Sequence, residues 1–143
     1  MPEGITTKVT MAQYEHLPIY KKAFDLTVYF EKIVRNFSRY HKYCLGTELR
    51  QLSHEVVRQI VRANNATEKA PQLEKLRELL EDLKITLRIA KEEKAFANFD
   101  SFHYSVNQVV DLCRQNEGWL KNAKNVDGQN PPRTPVRGRS APT

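Results

Sequence analysis

The sequence predicts an all-α protein, and more specifically an antiparallel up-down-up-down four-helix bundle. Apolar residues recur every three or four positions through most of the chain, which is the spacing of one helix face. Only five of the 143 residues are glycine, and all but two of the seven prolines lie in the terminal segments. Short connections join the four periodic segments, and such connections place consecutive helices antiparallel to one another.

Two periodic segments form the first half of the predicted bundle. The first helix is predicted to begin at Leu17-Pro18, because proline is favoured in a first turn. Residues 39–43 are interpreted as a polar-aromatic connection, and the second helix is predicted over residues 45–66. The predicted seams of these two helices consist of Ile19, Ala23, Leu26, Phe30, Ile33 and Phe37, and of Leu45, Leu49, Leu52, Val56, Ile60 and Ala63.

Two further periodic segments form the second half. Residues 67–71 are interpreted as the connection and the first turn of the third helix, whose outer face carries mixed charges typical of a solvated surface. The fourth helix is predicted to begin near Asn98, a favourable N-cap residue. The predicted seams are Leu73, Leu76, Leu80, Leu83, Leu87 and Ala90, and then Phe99, Phe102, Val106, Val109, Cys113, Asn116 and Leu120.

Composition divides the chain into three parts. Residues 1–16 lack periodicity and are predicted to be a flexible leader, and residues 17–122 are predicted to be the bundle. Residues 123–143 are rich in proline, glycine and arginine, so they are predicted to be a disordered basic tail without helix.

The charge balance favours a polyanionic partner. The formal net charge is +6 and the isoelectric point is near 9.4, which predicts weak, salt-sensitive attraction to nucleic acid. No run of about 18 apolar residues is present, so no membrane-spanning helix is predicted. Cys44 and Cys113 are isolated from each other, and with no readable secretory signal they favour a reduced, cytoplasmic compartment.

The sequence does not predict an enzyme. The four histidines lack metal-ligand spacing, and there is no glycine-rich phosphate loop or nucleophile elbow, so no metal or cofactor is expected. One alternative is open: Arg35 and His41, separated by five residues, fit the loose Arg-x(4–6)-His pattern of small helical ribonucleases of the HEPN group. There an arginine would steady the phosphate while histidine transfers a proton. Such a pair arises easily by chance.

Basic residues on the first two helices are the stronger candidates for a site. They are Lys21, Lys22, Lys32, Arg35 and Arg39 on the first helix, and Arg50, Arg58 and Arg62 on the second. Phosphate binding requires several cations on one surface, and the arginine fork suits bidentate phosphate contact. Four tyrosines lie among these cations and are able to stack on bases, although packing is expected for at least half of them: Tyr20, Tyr29, Tyr40 and Tyr43.

Two residues of the fourth helix are candidates for an oligomer interface. Asn116 falls on the apolar seam, where a polar residue needs a partner and often fixes register or assembly state. Trp119 follows Gly118 near the helix end, a place where tryptophan either anchors a neighbouring subunit or closes the core.

Three segments resemble one family of small bacterial proteins. They are residues 17–26, residues 45–66, and the stretch that contains Arg114-Gln115 and Trp119-Leu120-Lys121. The family consists of four-helix bundles and contains ribosomal-RNA intervening-sequence proteins and the accessory variability determinant (Avd) of diversity-generating retroelements. The resemblance covers about residues 17–122. One departure is Cys113, which stands where relatives often have glycine before Arg-Gln.

The resemblance implies a homopentamer with a basic surface and no catalytic activity. In the retroelement branch, such a protein binds nucleic acid and the element's reverse transcriptase, and is needed for mutagenic copying of a template repeat into a variable gene. The basic positions inside the matching segments are Lys21, Lys22, Arg50, Arg58, Arg62 and Arg114. The two branches share these helices, so both stay open.

The leading hypothesis is therefore a non-catalytic retroelement accessory protein that binds RNA or DNA and docks a reverse transcriptase. The alternative is a protein-interaction scaffold of the intervening-sequence branch without a nucleic-acid role, and a ribonuclease ranks third. The predicted nucleic-acid-binding residues are Lys21, Lys22, Arg35, Arg50, Arg58, Arg62 and Arg114.

Overall fold

Four long helices make up the part of the chain that the computed structural model describes, residues 13–129. They are α1 (Pro18–Val34), α2 (Thr47–Asn65), α3 (Lys69–Glu92) and α4 (Phe99–Gln129), and a 3-10 turn at Gln13–His16 precedes α1. Each helix packs on the next, and α4 returns to α1. The described residues contain no strand, which confirms the all-α prediction, and the packing order is that expected for an up-down-up-down bundle.

The core lies along the predicted seams of the first three helices. Every predicted seam residue of α3 is buried, and the five leucines among them are at most 1% exposed. The six predicted positions from Ile19 to Phe37 are buried as well. In α2, Leu49, Val56, Ile60 and Ala63 are buried, while Leu45 and Leu52 are half-buried at its edge. Apolar burial of this kind stabilises by about 25 cal/mol per Å².

The α1–α2 link, residues 35–46, is largely helical, and the predicted polar-aromatic connection at residues 39–43 lies within its two helical turns. Ser38 begins the second helical run, because its hydroxyl accepts a hydrogen bond from the backbone N–H of His41 at 3.4 Å. One α-helical turn (Arg39–His41) and a π-helical turn (Lys42–Gly46) then lead directly into α2. A Cβ on Gly46 would lie 2.6 Å from Cγ1 of Val34, so glycine permits the close approach of this link to α1.

The α2–α3 link, residues 66–68, is short and closed by a lysine. The ammonium of Lys69 donates to the backbone carbonyls of Ala63, Asn64 and Ala66 at 3.3, 2.8 and 2.9 Å. These carbonyls terminate α2, where the helix dipole also favours positive charge.

The fourth helix differs most from its prediction. Phe99 is 62% exposed instead of packed, whereas Ser105 and Leu112, which the predicted seam leaves out, are fully buried. The helix continues to Gln129, so the prediction of a non-helical chain over residues 123–129 is wrong. The rest of the predicted tail, residues 130–143, and the first twelve residues of the predicted leader lie outside the described residues.

Candidate nucleic-acid interface

Four basic side chains form a row along the outer crest of α2. Arg50, His54, Arg58 and Arg62 follow one another at intervals of four residues, and all four are exposed. Residues four apart lie above one another on a helix, so the row is about 18 Å long at 1.5 Å per residue. We refer to these four residues as the α2 row.

Glu31 of α1 binds the first two members of the α2 row. Its carboxylate accepts a hydrogen bond from Nε of Arg50 at 3.0 Å, and its other oxygen lies 3.0 Å from Nε2 of His54. Partial burial raises the pKa of Glu31, but the contacts with His54 and Arg50 outweigh this effect and lower its pKa overall. This carboxylate therefore stays ionised and fixes one end of the row against α1.

Glu55 binds the other two members. Its oxygens accept hydrogen bonds from NH1 of Arg62 at 2.8 Å and from Nε of Arg58 at 3.2 Å. The hydrogen bond from Arg62 lowers the pKa of Glu55 most, burial opposes it, and Arg58 lowers the pKa further, so that the pKa is lowered overall. Arg62 also reaches Oε1 of Gln59 at 3.3 Å, and the amide of buried Gln59 donates to the backbone carbonyl of Gln72 on α3. Through Gln59, Arg62 is therefore linked to the contact between α2 and α3.

The net charge of this surface is smaller than the arginines alone suggest. Three guanidiniums face two carboxylates, which leaves one net positive charge when His54 is neutral. The arginine side chains are 44–56% exposed, and ion pairs at such surfaces contribute only about 0–1 kcal/mol. A phosphate oxygen can therefore replace a carboxylate as the arginine's partner at little cost.

Lys22 and Arg114 lie on a different side, between α1 and α4. The ammonium of Lys22 is 3.2 Å from Asp111 and donates to Oε1 of Gln108 at 3.0 Å, while Arg114 approaches Asp111 at 3.7 Å. Hydrogen bonds from Gln115 and then from Lys22 lower the pKa of Asp111. Lys22 thus joins α1 to α4, and Arg114, 73% exposed, is the freer of the two cations.

The structure does not gather the seven predicted cations on one surface. Arg50, Arg58 and Arg62 lie on α2, whereas Lys22 and Arg114 share Asp111 on the α1–α4 side. The other two are exposed elsewhere: Lys21 beside Asp25 and Phe24 on α1, and Arg35 just past the end of α1.

The four tyrosines divide as expected, with two packed and two exposed. The ring of Tyr20 lies 4.9 Å from that of Tyr14, and burial raises its pKa. The ring of Tyr29 lies 4.5 Å from that of Tyr104. Tyr40 and Tyr43 in the α1–α2 link are 73% and 70% exposed.

Arg35 and His41 show no direct contact that would favour the ribonuclease alternative. Within residues 13–129 no hydrogen bond joins them, and the half-buried His41 ring packs edge-on against Tyr40 at 5.2 Å. Nδ1 of His41 is buried and has no hydrogen-bond partner among these residues.

The predicted role of Asn116 at an oligomer interface is not supported. Its side chain is fully buried within the single chain, and its amide donates to the backbone carbonyl of Leu73 at 3.1 Å. Oδ1 has no partner within the described residues. Asn116 thus belongs to the packing of α4 on α3. Trp119 is half-buried against the core and lines a small hollow with Thr67 and Lys69.

Comparison with known proteins identifies the family. The family model described as bAvd-like matches residues 17–123, more than half of the 143-residue chain. The chain belongs to the bAvd-like family. No curated protein matches it significantly. The match begins at the residue before α1 and ends inside α4, so it includes the α2 row and its acidic partners on α1 and α2.

Two kinds of feature are absent from the described residues of this bAvd-like protein. Across residues 13–129, no group of three or more histidine, cysteine, aspartate or glutamate residues is arranged to hold a metal ion. Within the same stretch, no helix combines the length and the apolar character needed to cross a membrane.

Sequence reasoning missed the acidic partners and His54. The spacing of four between Arg50, His54, Arg58 and Arg62 is readable in the sequence and would have identified the α2 row as one ridge. The contact with Glu31 was not readable, because it depends on how α1 and α2 are rotated about their axes.

Proposed function

We propose that this bAvd-like protein is a non-catalytic accessory protein of a diversity-generating retroelement. In this proposal it acts in the cytoplasm, binds RNA or DNA through the α2 row, and docks the element's reverse transcriptase for mutagenic retrohoming. Membership of the bAvd-like family supports the retroelement assignment. The observation that carries the nucleic-acid role is the α2 row, in which three arginines are exposed along one ridge.

The α2 row suits a phosphate backbone for two reasons. Its three guanidiniums present flat, bidentate donors along about 18 Å of helix. Its carboxylate partners hold the side chains in two pairs, Arg50 with His54 on Glu31 and Arg58 with Arg62 on Glu55. Each phosphate that replaces a carboxylate releases counterions, so affinity is expected to fall steeply with salt.

The test is a charge-matched pair of double variants. Arg58→Gln with Arg62→Gln is compared with Arg77→Gln and Arg88→Gln, which remove the same charge from α3. We expect the first variant to weaken binding of RNA and DNA about tenfold and to reduce the salt slope by about two, and the second to have a much smaller effect. Equal losses in both variants, or no binding by the native protein, would contradict the proposal.

A homopentamer is the second part of the proposal. A closed ring needs two different patches on each subunit, because its interfaces are heterologous. Two exposed apolar pairs meet this requirement, on helices that are not neighbours in the bundle. Phe24 and Val28 are 48% and 54% exposed on α1, and Ile85 and Ile89 are 55% and 47% exposed on α3. Trp119 stays a candidate for the same interface.

Light scattering of the purified protein tests the ring. We expect a pentamer for the native chain and smaller species for Ile85→Glu with Ile89→Glu, because a charge buried in an apolar contact opposes association. Phe99→Ser is the matched control, since it removes an exposed aromatic side chain outside both pairs. A native monomer would overturn this part alone.

One observation favours the alternative of a protein-interaction scaffold. An open groove of about 560 Å³ runs along the surface where α2 packs on α3. Its lining includes the apolar side chains of Leu52, Ile85 and Ile89 and the carboxylates of Glu48 and Asp82. Such a groove can accept a protein segment without any nucleic acid. If the native protein binds no nucleic acid, and Arg58→Gln with Arg62→Gln leaves binding of the reverse transcriptase unchanged, the scaffold is the better description.

A further inference from the structure

The α1–α2 link carries two strongly exposed aromatic rings on ordered backbone. Tyr40 and Tyr43 are the most exposed of the large hydrophobic side chains in the described region. The link is held by the Ser38 cap, by the π-helical turn at Lys42–Gly46, and by the close approach of Gly46 to Val34. The rings are therefore presented from a fixed turn, which reduces the entropy lost when a flat ligand stacks on them.

The same link is basic without any acidic residue. Residues 35–46 contain Arg35, Arg39 and Lys42 and no aspartate or glutamate. None of the three forms an ion pair within residues 13–129, in contrast to the arginines of the α2 row. The ring of Phe37 lies 5.5 Å from that of Phe96, which places the α3–α4 link at this end of the bundle as well. Residues 91–94, at the end of α3 and the start of that link, contain two lysines and two glutamates.

We propose that the α1–α2 link binds a single-stranded stretch of nucleic acid, with bases stacked on Tyr40 and Tyr43 and phosphates bound by Arg35 and Arg39. This inference rests on the proposed nucleic-acid role and adds the form of the ligand. In a duplex the base faces are covered by neighbouring base pairs, so exposed rings have nothing to stack on. In a single strand every base offers a face, and stacking on an aromatic side chain needs no particular sequence.

A protein partner would use these residues differently. Tyrosine and arginine are also frequent at protein interfaces, but there they fill well-packed pockets in a central patch from which lysine and the acidic residues are depleted. Here the tyrosines are strongly exposed, and Arg39 and Lys42 adjoin them in the sequence. The local excess of three positive charges without a carboxylate favours a polyanion.

Fluorescence anisotropy of the full chain tests the proposal with two probes, oligothymidylate and an oligoadenylate–oligothymidylate duplex of the same length. We expect Tyr40→Ala with Tyr43→Ala to weaken binding of the single strand at least about tenfold and that of the duplex less than about threefold. Tyr40→Phe with Tyr43→Phe keeps the aromatic faces and is expected to bind like the native protein. Equal losses for both probes, or equal losses in both variants, would overturn the stacking assignment.

The reactivity of the Cys44 thiol is an independent measure of whether a ligand covers the link. Its thiol is exposed within the link, whereas Cys113 is half-buried on α4 and burial raises the pKa of that thiol. Bound oligothymidylate is expected to slow maleimide labelling of Cys44 at least about threefold without changing that of Cys113.

Unchanged labelling of Cys44 on a protein that still binds through the α2 row would refute this inference alone. If the native protein binds neither oligothymidylate nor the duplex, both this inference and the proposed function are refuted. Protection of Cys44 by a protein partner and not by oligothymidylate would make the link a protein-binding site.

Discussion

At the α2–α3 end of the bundle, the ammonium of Lys69 donates to three backbone carbonyls that terminate α2. At the opposite end, Arg35, Arg39 and Lys42 form no ion pair within the described residues, and two tyrosines are exposed beside them. Both ends contain cations. One uses its cation to complete the fold, while the other presents its cations outward.

The difference teaches how a net charge should be interpreted. A formal charge of +6 counts the lysine that caps a helix and the arginine that already has a carboxylate in the same way as a cation with no internal partner. Only the last kind adds fully to the attraction for a phosphate, because the others must first give up a contact. The two ends should therefore respond differently to mutation.

The largest expected effect is at the α1–α2 link. In Gly46→Ala, the added methyl group lies 2.6 Å from Cγ1 of Val34 and 3.3 Å from the carbonyl oxygen of His41, and overpacking of this kind costs about 1–3 kcal/mol. Gly118→Ala is the control: nothing lies within 4 Å of its new Cβ, and an exposed helical glycine replaced by alanine gains about 0.5–1 kcal/mol. Urea denaturation measures both. A stable Gly46→Ala protein would mean that the link is not held against α1, which would break the comparison.

The next effect separates the two kinds of cation. Lys69→Ala removes the ammonium that binds three terminal carbonyls of α2, of which only that of Ala63 keeps a backbone donor, the N–H of Ala66. We therefore expect the free energy of unfolding to fall by about 1–2 kcal/mol. Arg39→Ala at the other end should stay within about 0.5 kcal/mol of the native protein, because its side chain is exposed. Similar losses at the two ends in thermal unfolding would contradict the distinction.

A smaller effect is expected at Asn116, which lies in the core nearer the Lys69 end. Asn116→Leu removes a buried amide whose oxygen has no partner in the described part of the chain and supplies apolar volume instead. We expect stability to change by less than about 1 kcal/mol, and the state of assembly to stay unchanged. If this variant dissociates the proposed pentamer, Asn116 is a residue of the oligomer interface after all.

The smallest expected effect is the pH dependence of stability that comes from the ion pairs of Glu55 on α2. The pKa of Glu55 is lower in the folded chain than its ordinary value of 4.5, so its pairs with Arg62 and Arg58 stabilise above that value. This contribution is lost as the pH falls through the lowered pKa. We expect Glu55→Gln to flatten the acid limb of stability slightly, by less than about 1 kcal/mol. Glu78→Gln on α3, exposed and outside every described ion pair, should leave the acid limb unchanged.

The fold was predictable where burial follows one regular stripe. The seam of α3 lies entirely within the core, because leucines at a regular spacing face two neighbouring helices at once. In α4 the same rule misplaced Phe99 and omitted Ser105 and Leu112. Ser105 is polar, so the pattern does not select it, yet its hydroxyl donates to the backbone carbonyl of Ser101 at 2.7 Å and is thus satisfied inside the core.

The candidate site was predictable only as a set of residue types. Arg58 and Arg62 are correctly adjacent on one ridge, but their shared bond to Glu55 was not foreseen. Lys22 appeared as a surface cation, whereas Asp111 and Gln108 on α4 hold it. Such contacts depend on the relative rotation of helices far apart in sequence, and a periodic pattern contains no information about that angle.

The π-helical turn at Lys42–Gly46 has a consequence for geometry. Each residue of an α-helix advances about 100° around the axis, and a π turn holds one residue more than an α turn. Because the helical run continues from Arg39 through α2, this turn determines the angle between the exposed tyrosines and everything after it. Insertion or deletion of one residue here would rotate α2 about its axis relative to the chain before the turn. Tyr40 and the α2 row would then face in different relative directions.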